Sequence, residues 1–72
     1  MTPTQQTVQN ILAVTNNQTA SKPVVDRITA QVDGYYGARG QMAKMHVVGL
    51  ILDDLNLKWG EYAGKVSECF IG

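Results

Sequence analysis

One cysteine, one histidine and two prolines are all that this 72-residue chain has of the residues that staple, ligate or break a small fold. With Cys69 alone no internal disulfide can form, and a lone thiol suits a reducing compartment better than a secreted scaffold. With His46 alone, the CxxC and HxxxH ligand pairs of a zinc site are missing. Charge of one sign is scarce too: six basic residues balance six acidic ones, and the signs alternate along the chain. No broad electropositive face follows, which disfavours nucleic-acid binding by phosphate neutralisation. The longest apolar run, Val47 to Leu52, is far short of the ~20 residues that cross a bilayer. The opening residues Met1-Thr2-Pro3-Thr4-Gln5-Gln6 have neither the basic nor the apolar region of a signal peptide. These absences point to a cytoplasmic protein that is no membrane component and carries no metal or cofactor.

A chain this short buries only about 60% of the surface its unfolded form exposes. Without disulfides or a metal, stability has to come from regular packing or from a partner subunit.

What is present is helical periodicity over a single domain, residues 1–72. Thr2 as N-cap, Pro3 at the first helical position and Gln5 closing a capping box open a first helix over about 3–16. Its face carries Val8, Ile11, Leu12 and Thr15. Polar residues 17–21 form a connection. Ser21 and Pro23 then open a second helix over about 22–37, with Val25, Ile28, Val32 and Tyr35 on one face. Gly34, Gly37 and Gly40 disturb that pattern and imply a turn between about Gly37 and Gly40. From Met45 the residues Val48, Leu52, Leu55, Trp59, Tyr62, Val66 and Cys69 follow an unbroken 3-4 spacing, a heptad seam. Asp54 with Lys58 and Glu61 with Lys65 add i, i+4 pairs in the favourable order. The spacing predicts one long helix over about 41–70, with a break near Gly60 as the alternative. The expected fold is an all-α bundle of three helices.

The long helix is apolar on a second side. Leu50 and Leu57 lie opposite the seam, with Val47 and Ile51 flanking them. Two short helices cannot cover both sides, so the pattern predicts a homo-oligomer, a dimer or larger, with Val47, Leu50, Ile51 and Leu57 at its interface.

No catalytic set is legible. Cys69 has only His46 as a possible base, and on one long helix the two stand about 35 Å apart. Cys69 at a seam position reads as a buried, inert thiol. His46, Asp53 and Asp54, like Asp26 and Asp33, read as solvated faces. Gly60 and Gly64 suggest close helix approach. The segment around Tyr35, Tyr36 and Arg39, with Lys44 near the start of the long helix, is the best candidate for recognition. Tyrosine and arginine are enriched at protein-contact hot spots, and the same set could stack a base and fork onto a phosphate. No phosphate-loop or dinucleotide pattern accompanies it.

The function expected from these residues is non-enzymatic: stoichiometric binding to a larger protein as an inhibitor, adaptor or regulator, a type of small chain frequent in phages and mobile elements. The alternative is an oligomer that binds a nucleotide or other phosphorylated ligand at the tyrosine-arginine-glycine corner.

Overall fold

The computed structural model describes residues 1–38 and 42–71. It is all-α, and the described residues form four helices, α1 (Pro3–Val14), α2 (Lys22–Gly37), α3 (Lys44–Leu55) and α4 (Trp59–Ser67). The three-helix expectation is therefore corrected, since the rod expected over 41–70 is two helices that fold back on each other.

The reason lies in one residue. Asn56 takes the left-handed conformation at φ 57°, which ends a helix by turning the chain out of the 3.6-residue spiral. Two backbone bonds then close a Schellman motif: Asn56 N–H to the Asp53 carbonyl at 3.1 Å and Leu57 N–H to the Leu52 carbonyl at 2.9 Å. Leu57, expected on an oligomer face, instead packs against the core. It occupies the position where a hydrophobic contact customarily accompanies this motif. The break falls before Gly60, and α4 begins directly afterwards with Lys58 as its N-cap. The end of α1 is built the same way. Asn16 is left-handed at φ 58°, and Asn16 and Asn17 donate to the carbonyls of Ala13 and Leu12.

The helix starts follow the local signals. Thr2 and Gln5 form the capping box with Pro3 in the first turn. Ser21 stands at the N-cap of α2 in extended conformation, but its side chain makes no capping bond.

Each helix packs on its sequence neighbours, and α4 closes the ring against α1. Cross-links fix the directions. Thr4 at the start of α1 donates to Asp33 near the end of α2 at 3.3 Å, and Arg27 in the first half of α2 pairs with Asp54 near the end of α3, which also accepts from Gln31 at 2.8 Å. Both pairs are therefore antiparallel. Among the described residues Asp54 forms its ion pair with Arg27 across helices, at 3.4 Å, rather than with Lys58.

The core contains Ile11, Ile28, Val32, Val47, Val48, Ile51, Leu52 and Val66, all essentially inaccessible to solvent. Each such side chain contributes about 1.5–3 kcal/mol on burial. Val47 and Ile51 are inside because α3 is flanked by both α2 and α4, which widens its apolar arc well beyond a two-stranded seam. The radius of gyration is 10.9 Å, against about 11 Å for a compact chain of this length. The premise of a rod apolar on two sides does not hold for this fold.

Candidate functional site

At one end of the bundle the last turn of α2, the first residue of α3 and the segment that follows α4 meet in an aromatic cluster. The Tyr35 ring stands edge-on to Tyr36 at 5.3 Å and to Phe70 at 5.1 Å, and Tyr36 is tilted against Phe70 at 6.1 Å. Such pairs contribute about 0.5–1.5 kcal/mol beyond their burial. Lys44 Nζ lies 5.8 Å from the centre of the Phe70 ring, a cation–π contact.

The Tyr36 hydroxyl is the hub. It donates to the Ile71 carbonyl at 2.9 Å and accepts from Ile71 N–H at 2.6 Å. A third contact, 2.9 Å to Thr7 Oγ1, reaches the buried face of α1. With one proton to give and two lone pairs, the hydroxyl is fully used when Thr7 is the donor. Asn10 adds a further tie to the same segment, its Nδ2 donating to the Cys69 carbonyl at 3.3 Å.

The structure thus brings Tyr35, Tyr36 and Lys44 together around Phe70. Arg39, with Gly40 and Gln41, lies outside the described residues. Phe70 went unread because the heptad seam stops at Cys69. The available signal was the apolar triplet Cys69-Phe70-Ile71 just past a short helix, which has to be covered by something.

Cys69 is buried and its Sγ donates to the Lys65 carbonyl at 3.2 Å. Burial raises its pKa, and the Glu68 carboxylate adds to the rise, so the thiolate needed for nucleophilic chemistry is suppressed. His46 is exposed. Among the described residues no group of three or more His, Cys, Asp or Glu is placed to hold a metal ion. Among the described residues no helix is long and apolar enough to cross a membrane.

Large apolar side chains are exposed at several places, among them Met1, Val14 and Ile71. Trp59, the first residue of α4, is 52% exposed and Met45 42% exposed, although both sit on the heptad seam. The Trp59 ring leans on α3 where Gly49 leaves the backbone bare, its Cζ3 atom 3.6 Å from the place a Gly49 Cβ would occupy. Met45 is one turn before Gly49 on the same face. Leu50 remains half-buried on the outer side of α3, whereas Val47 and Ile51 are enclosed within the chain and Leu57 packs on its core. Gly60 and Gly64 have nothing within 4 Å of an added Cβ, so they do not mediate close approach between helices of this fold.

Comparison of the chain with profiles of known protein families, with characterised proteins and with solved structures finds no match.

Proposed function

We propose that this chain is a non-catalytic helical interaction module that binds a larger protein stoichiometrically, as an inhibitor, adaptor or regulator, through the α3–α4 face centred on Trp59 and Met45. The observation that carries this reading is the half-exposed indole of Trp59 supported from below by α3 at Gly49. Tryptophan is among the residue types enriched at interface hot spots, and a ring already held in place loses little entropy on binding. Methionine beside it adapts its shape to a partner at low cost.

The tyrosine corner is the weaker choice for the contact, since the rings of Tyr35 and Tyr36 are packed on each other and on Phe70. The same packing weighs against the competing proposal of a nucleotide or phosphorylated ligand at Tyr35, Tyr36, Arg39 and Lys44, which needs an open ring face for stacking. Any association of two copies joins finished subunits through outer residues such as Leu50, because Val47 and Ile51 are enclosed.

The test is affinity capture from the cells that make the chain, comparing it with its Trp59→Ala and Met45→Ala variants. Both variants keep the helical circular-dichroism spectrum, and Trp59→Ala weakens capture of the specific partner by roughly thirtyfold, the effect of a ~2 kcal/mol hot spot. Equal capture by the Trp59→Ala variant contradicts the proposal.

A further inference from the structure

Of the four helices α4 is the shortest. It has nine residues, of which only Ala63 and Val66 are buried. It makes no backbone-level contact with the diagonal helix α2, and its seam with α1 is the thinnest in the ring. That seam is incompletely closed: an open groove of about 330 Å³ runs between Ala13 and Val14 on α1 and Lys65 on α4 with Glu68 just after it.

Compensation comes from the segment after it. Asn10 of α1 holds the Cys69 carbonyl, Tyr36 of α2 holds both backbone groups of Ile71, and Lys44 of α3 lies over Phe70. Three residues of chain therefore tie α4 to all three other helices. Tyr36 supplies the only one of these ties that engages both a backbone donor and a backbone acceptor of the segment.

We propose that α4 and Cys69–Ile71 open and close as one lid, hinged at Asn56–Lys58 and latched by the Tyr36 hydroxyl. A helix of nine residues is not stable in water by itself, so when the lid leaves the bundle its backbone hydrogen bonds are lost with it. Opening is therefore readable at the amides of α4. The lid carries Trp59, but the inference does not depend on the role assigned to that residue, and its test involves no partner.

The experiment is native-state amide hydrogen exchange on the full chain, followed residue by residue by NMR. In the unmodified chain the amides of Val66 and Cys69 exchange together through an opening of lower free energy than the amides of Ile28, Val48 and Ile51. Tyr36→Phe, which keeps the ring and removes the hydroxyl, speeds the α4 set about tenfold and leaves the α2 and α3 set unchanged. Asn10→Ala moves the same set in the same direction by a smaller factor. Acceleration confined to Ile71 overturns the proposal, because the segment then frays without the helix. Equal acceleration throughout the bundle also overturns it, because α4 then has no opening of its own.

Discussion

Burial holds the Cys69 thiol above its ordinary value of 9.0, and the Glu68 carboxylate acts in the same direction. The folded chain therefore keeps its thiol proton to higher pH than the unfolded chain does. The stability linked to this group is fully present below pH 9.0 and is lost as the pH rises through the higher folded value. Alkylation by iodoacetamide at pH 8 is expected to be at least tenfold slower in the folded protein than in urea, since only thiolate in an accessible thiol reacts. Equal rates in the two states contradict the assignment. The sequence made this much legible, because a cysteine in register with Val66 on a helical face is a core residue. It did not make Tyr36 legible. A tyrosine whose hydroxyl pins a segment 35 positions away has no local signature, and its neighbours Gly34 and Gly37 suggested an open corner instead.

At the scale of the helices, the boundaries that were readable are those set by chemistry within a few residues. The capping box of Thr2 and Gln5, with Pro3 between them, starts α1 as expected, and α2 covers the expected span of 22–37. The junction of α3 and α4 was misread because hydrophobic spacing carries no information about a single residue with positive φ. Leu55 and Trp59 are four apart whether the chain between them spirals on or turns back. The signal that existed was Asn56 followed by an apolar Leu57, the same helix-ending chemistry that Asn16 supplies for α1. Asn56→Ala is expected to lower stability by about 1–2 kcal/mol, the cost of placing a β-carbon in the left-handed region. In a chain this small that lowers the melting temperature by roughly 4–8 °C per kcal/mol. Asn56→Gly keeps the midpoint or raises it. A chain that tolerates alanine as well as glycine there has no left-handed stop at this position.

The whole molecule removes the premise, one long helix apolar on two sides, from which association was inferred. Seventy-two residues were expected to fall short of a complete core, and a second copy was the simplest supply. Folding α4 back supplies the missing face from within, placing Val66 and Ala63 in the common core beside Ile51 and Leu52. The accessible surface is 4555 Å², close to the about 4,400 Å² of an ordinary folded monomer of this mass. Among the large apolar side chains left exposed, Met1, Val14, Met45, Trp59 and Ile71, Trp59 with Met45 is the pair we assign to recognition. The most direct test is thermal unfolding followed by circular dichroism at protein concentrations spanning a hundredfold range. A self-sufficient subunit melts at one temperature throughout that range, whereas a core completed by a second copy melts at progressively lower temperature on dilution. The account predicts the first result, and the second would contradict it.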